Sequence, residues 1–207
     1  MVKRKLTSVI VLLFIGLASV GWAAQPLDEL KAPIEEIVTI LRDPTYRDIS
    51  QREQQREEMW KVALNIFDFA TIARGTLKRH RWKGLTSQQK QEFTDVFTRF
   101  VGNNYFNRIQ GNYQDEQVVF LGQRMKSNSK ALVETKILRE EIEIPVDYSM
   151  WQRQGEWKIY NVYVEGVSLV GNYRNEFERF LQKQTPDQLI EQLKEKVAEQ
   201  QEVAPAK

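Results

Sequence analysis

Few residues in this chain are of a type that could do chemistry. Glu141 and Glu143 set two carboxylates two positions apart, as acid/base work or a metal site would need. Asp68 stands just ahead of Ala70, Ile72 and Ala73, and His80, the only histidine, lies in the basic stretch His80-Arg81-Trp82-Lys83-Gly84. None of these assembles a reaction. Alternation around the two glutamates places them on the wet face of a strand. Asp68 is where a short polar side chain caps a helix by accepting a backbone N–H. One histidine in an exposed basic turn can build neither a Ser-His-Asp triad nor a multi-histidine metal site. The chain has no cysteine, which removes thiol catalysis and thiolate ligands. A glycosidase needs two facing acids in a cleft, whereas the acids here fall on wet faces. No phosphate-binding glycine loop is present. The reading is of a non-enzyme with no catalytic residue, no metal and no cofactor.

The elements around these residues begin with an export signal. Lys3, Arg4 and Lys5 precede an apolar run from Leu6 to Val20 that ends in Gly21, Ala23 and Ala24. This predicts a cleavable signal peptide over residues 1–23, too short to span a hydrocarbon core of roughly 20 apolar residues. The remaining stretch, about 180 residues, is enough for one domain, expected over 24–199, with a disordered tail over 200–207. Of 30 basic and 28 acidic residues, three basic ones leave with the signal, so 27 face 28. A near-neutral chain with interspersed charges has no footprint for nucleic acid.

Leu30, Ile34, Ile37, Ile40 and Leu41 follow helical spacing over 27–41, and a polar helix follows from about Ile49. Thr86 and Gln89 form a capping box ahead of a long helix from Ser87 to about Ile109. Its Phe93, Val96, Phe97, Phe100, Val101, Tyr105 and Ile109 cover more than one packing stripe, which suits either a broad core contact or a lined cavity. Period-2 patterns then run over Val118–Gly122, Ala131–Leu138, Ile142–Met150 and Trp157–Val164, with turns at Ser127-Asn128-Ser129 and Gln154-Gly155. Pro145 favours an edge strand or a bulge. Tyr173, Phe177, Phe180 and Leu181 mark another helix, and Thr185, Pro186 and Gln188 cap a last one. The predicted fold class is α+β, an antiparallel four-stranded meander packed against a helical layer.

The stretch Gly166-Val167-Ser168-Leu169-Val170-Gly171-Asn172-Tyr173-Arg174-Asn175-Glu176-Phe177 resembles the signature of the MlaC (toluene-tolerance auxiliary) family. Phe67-Asp68-Phe69 with Ala73 and Leu77, and Trp82 through Leu85-Thr86 to Gln89 and Phe93, resemble it too. That resemblance implies a periplasmic phospholipid carrier with an apolar pocket. It would shuttle lipid between an inner-membrane Mla ABC transporter complex and an outer-membrane Mla lipoprotein complex, maintaining outer-membrane lipid asymmetry. The pocket is expected to draw Phe67 from the Phe-Asp-Phe segment, Phe97, Phe100, Val101 and Tyr105 from the long helix, and Val146, Tyr148 and Met150 from the third strand. The fourth strand and its sequel would add Val162, Val164, Val167, Leu169, Tyr173 and Phe177. Arg174 or Lys83 is expected near the mouth, beside the headgroup. An exported, ligand-free adaptor of an envelope ABC transport system is the alternative, in which every apolar residue is ordinary core.

Overall fold

Strand reversals are set by residues that tolerate a left-handed backbone. Gln154 (φ 53°) and Gly155 (φ 89°) join Arg153 to its partner Glu156, and Glu165 (φ 51°) and Gly166 (φ 78°) join Val164 to Val167. Two consecutive positive φ values give the turn whose twist matches the flanking strands. In the computed structural model, which describes residues 25–202, these reversals produce strands β1 (Gln117–Ser127), β2 (Lys130–Arg139), β3 (Ile142–Arg153), β4 (Glu156–Val164) and β5 (Val167–Ser168). All pair antiparallel in sequence order. The sheet therefore has five strands, not the expected four. The fifth holds two residues, too few for a period-2 pattern to be legible. The predicted signal over 1–23 lies outside the described residues, as do 203–207 of the expected tail.

Pro145 lies in β3, an interior strand, paired with Lys136 of β2. Its carbonyl accepts the Glu165 N–H at 2.9 Å, so the imide nitrogen points toward the same side, where β4 has already ended at Val164. The missing donor costs the ladder nothing there, which is how an interior strand accommodates it. Glu141 belongs to the β2–β3 turn, and the wet face expected of this strand is incomplete, since Ser149 is buried while Ile142 is exposed.

Helices α1 (Pro26–Arg42), α2 (Arg52–Ile66), α3 (Phe69–Gly75), α4 (Arg79–Gly84), α5 (Ser87–Asn112), α6 (Leu169–Phe180) and α7 (Pro186–Glu202) form the other layer. The Thr86/Gln89 box is fully formed at the start of α5, and Thr185 and Gln188 exchange hydrogen bonds at the start of α7. The basic stretch at 79–84 is helical, with Lys78 and Arg81 lying 3.6 and 3.5 Å from Glu178 of α6. Three apolar clusters result. One is aromatic, between α3, α5, α6 and α7; the second lies between α1 and the sheet; a small third joins α2 to α5.

The Phe67-Asp68-Phe69 segment ties the layers together. Phe67 bridges to Ile159 of β4, whose carbonyl accepts the Asp68 N–H at 2.8 Å. The Asp68 carboxylate accepts from the Thr71 N–H (2.9 Å) and hydroxyl (3.0 Å), capping α3. Asp68→Ala should lower stability by about 1 kcal/mol, the usual value of such a cap, with Asp68→Asn recovering most of it in urea unfolding midpoints. Equal losses in both variants would show that the cap is not what Asp68 contributes.

Candidate functional site

The three apolar clusters do not close on one another. Where they meet lies a cavity of about 620 Å³, within the ~300–1,000 Å³ usual for small-molecule sites. Helix α1 lines it with Ile34, Ile37, Val38 and Leu41, and α2 with Trp60 and Ala63. Phe67 and Phe69 reach it from the segment that bridges to β4, and Ile72 from α3. Helix α5 contributes Val101, Gly102, Tyr105, Phe106 and Ile109. The sheet supplies the opposite wall through Val118, Ile137, Ile144, Val146, Tyr148, Val162 and Val164, and Leu169 closes it at the start of α6.

Eight of the residues expected to form a pocket therefore come together here: Phe67, Val101, Tyr105, Val146, Tyr148, Val162, Val164 and Leu169. Phe97, Phe100, Tyr173 and Phe177 instead pack ring against ring in the aromatic cluster, mostly edge-on, with centroids 5.4–5.9 Å apart. Met150 is fully buried in the cluster between α1 and the sheet, and Val167 is 63% exposed. Neither proposed headgroup cation lines the cavity. Arg174 donates from Nε to the Gly75 carbonyl at 2.7 Å, and Lys83 is exposed on α4.

Polar lining is concentrated at one end. Arg108 and Asn112 come from the end of α5, Tyr113 and Glu116 from the connection between α5 and β1, and Arg139 from the end of β2. Arg139 donates from Nε to Glu116 at 2.6 Å. Burial alone would raise the Glu116 carboxyl, but backbone N–H donors and Arg139 outweigh it and hold it below the usual range. The exposed Arg108 guanidinium makes no ion pair among the described residues. Sequence reading passed over these residues, although Val101, Tyr105, Arg108 and Asn112 sit at i, i+4, i+7 and i+11, one stripe of one helix. Asn161 is the polar exception elsewhere, its side chain committed to Ser168 and to the Val170 N–H.

The helix wall is brought close by a glycine. A Cβ on Gly102 would lie 2.2 Å from the Trp60 ring, which is itself held between Phe69 and Phe106. Gly102→Ala should therefore force Trp60 to shift, costing about 1–3 kcal/mol in urea unfolding. The cost should shrink when Trp60 is first replaced by Leu, and a cost unaltered by that replacement would place the strain elsewhere.

The walls offer nothing reactive. Burial pushes the Tyr148 phenol up to about 12, against a hydrogen bond with Thr135 that lowers it, and burial raises Tyr105 as well. Both phenols are neutral at ordinary pH. Among the described residues no group of three His, Asp or Glu could hold a metal ion. Such an arrangement can sequester an apolar chain and leave its polar end at the arginine-bearing mouth.

A family model described as "MlaC protein" matches residues 31–195. The solved structure of a phospholipid-binding protein from Ralstonia solanacearum, in complex with a phospholipid, is similar with a TM-score of 0.74. It shares 20% identity, and the match covers 86% of this chain and 99% of that one. No curated protein matches.

Proposed function

The chain belongs to the MlaC family, and on that premise we propose that it is a periplasmic phospholipid carrier, exported by a signal peptide cleaved after Ala23. The observation that carries the reading is a cavity apolar along its length and polar at one end, the shape of the ligand it would hold. Support comes from the Ralstonia solanacearum protein of like fold, which is described as holding a phospholipid. The acyl chains lie against Phe67, Val101, Tyr105, Val146, Tyr148, Val162, Val164 and Leu169, and the polar end of the lipid leaves the cavity past Arg108 rather than toward Arg174 or Lys83.

At about 0.8 kcal/mol per buried methylene, hiding two chains of roughly 15 methylenes each removes about 24 kcal/mol of unfavourable hydration, so lipid leaves into water very slowly. A bilayer offers the same burial, and transfer between the two is close to balanced. Direction must then come from docking partners, namely an inner-membrane Mla ABC transporter complex and an outer-membrane Mla lipoprotein complex. Mass spectrometry of lipid extracted from the purified protein tests the reading. Intact phospholipid is expected; an empty protein would return it to the ligand-free adaptor, and lyso-lipid or free fatty acid would make it an enzyme.

A further inference from the structure

Beside the mouth of the apolar cavity lies a second, polar cleft of about 680 Å³. It is built where the end of α1 turns through residues 43–51 into α2, opposite the loop that follows α5. Arg42, Arg47 and Arg52 line it, against Asp43 and Asp115. Leu41 and Tyr113 line both cavities, so the polar cleft adjoins the polar end of the apolar one.

The charges in this cleft are not all spoken for. Arg42 donates to Asp115 at 2.8 Å and to the Tyr113 hydroxyl at 2.9 Å, and the Asp43 carboxylate accepts the Thr45 N–H at 2.8 Å. The floor is held by Gln110, which donates to the Arg52 carbonyl and to Gln55. The guanidinium groups of Arg47 and Arg52, however, make no ion pair among the described residues, and both residues are exposed at the cleft. Two uncommitted guanidiniums in a concave site suit the oxygens of a phosphate ester, which arginine binds through paired charge-assisted hydrogen bonds.

We infer that the cleft is a phosphate-ester subsite that receives the headgroup of an anionic phospholipid. The inference rests on the carrier reading, since the headgroup reaches the cleft only when its chains occupy the adjoining cavity. A phosphoglycerol headgroup adds no positive charge and brings hydroxyls that Gln114 and Tyr46, also lining the cleft, can bind. An ethanolamine headgroup brings an ammonium that Arg47 and Arg52 together repel more than Asp43 attracts it, Asp115 being already paired with Arg42. The site therefore selects anionic over zwitterionic lipid.

The test incubates the mature protein with vesicles of equimolar phosphatidylglycerol and phosphatidylethanolamine of identical chains, then repurifies it and quantifies both lipids. Wild type should carry phosphatidylglycerol in excess of the vesicle ratio. Arg47→Gln/Arg52→Gln should lose that excess by about two- to thirtyfold, what two exposed like-charge contacts between guanidinium and ammonium are worth, the phosphate being common to both lipids, while total lipid load stays the same. Lys83→Gln/Arg174→Gln, with charges removed away from the cleft, should keep it. An unchanged headgroup ratio in the Arg47/Arg52 variant overturns the subsite and leaves the carrier standing, whereas wild type that takes up no lipid overturns both. A parallel titration with soluble glycerol phosphate separates the two sources of the phosphate. Saturable binding to wild type that vanishes in the Arg47/Arg52 variant, with no headgroup preference in the vesicle arm, would give the cleft to a soluble phosphate ester and overturn the headgroup assignment.

Discussion

Val146→Trp should empty the protein of lipid while leaving it folded. Val146 is 5% exposed, lines the cavity from β3, and is registered against Thr135 of β2 and Val164 of β4, so its side chain has one direction in which to grow. Indole in that space displaces acyl chain. Displacing only about six methylenes forfeits roughly 5 kcal/mol at about 0.8 kcal/mol each, a loss of three to four orders of magnitude in retention. The overpacking itself costs about 1–3 kcal/mol against the ~5–15 kcal/mol of a typical domain, so most of the population stays native. Lipid per folded protein, from mass spectrometry alongside circular dichroism, should fall close to zero, and Val101→Trp on the facing helix should do the same. A folded Val146→Trp protein with a full lipid load would mean that lipid lies somewhere else.

Phe97→Ala should do the reverse, costing much stability and little binding. Phe97 is fully buried and stacked on Phe93 at 5.8 Å, with Tyr173 and Phe177 edge-on at 5.4 and 5.9 Å. Truncating a buried phenylalanine removes its transfer energy and leaves a void that rigid aromatic neighbours cannot fill, typically about 3–5 kcal/mol. Denaturant unfolding should show a loss of that order, while the folded fraction retains its lipid, because the residue touches the aromatic cluster and not the cavity. A loss of lipid larger than the loss of folded protein would put Phe97 back on the cavity wall.

These two expectations differ because of something that no spacing encodes. Phe97 and Val101 are four residues apart on α5, about 40° around the same helix face. Periodicity marks both as inward-facing, yet Tyr173 and Phe177 of α6 press against the first and the gap between the three clusters lies against the second. Hydrophobic pattern says which face leaves water; it carries no information on whether the opposing surface reaches that face.

What the chain determined on its own is local. The Asp68 cap, the Thr86/Gln89 box, the glycine turn at Gln154-Gly155 and the alternation of four strands each rest on bonds or contacts closed within a few residues, so each was readable from the residues involved. The two-residue β5 was not, because its pairing exists only once Glu165 and Gly166 have folded Val167 back onto Val164. Pro145 could enter an interior strand only because β4 stops one residue short of it. The cavity, its polar mouth at Arg108, Glu116 and Arg139, and the arginine cleft next to it are assembled from segments as far apart in the chain as Ile34 and Leu169. Their existence depends on how far packing lets α1, α2 and α5 approach the sheet, and that distance is set by side-chain volumes such as Trp60 against Gly102, which only the tertiary structure brings into contact.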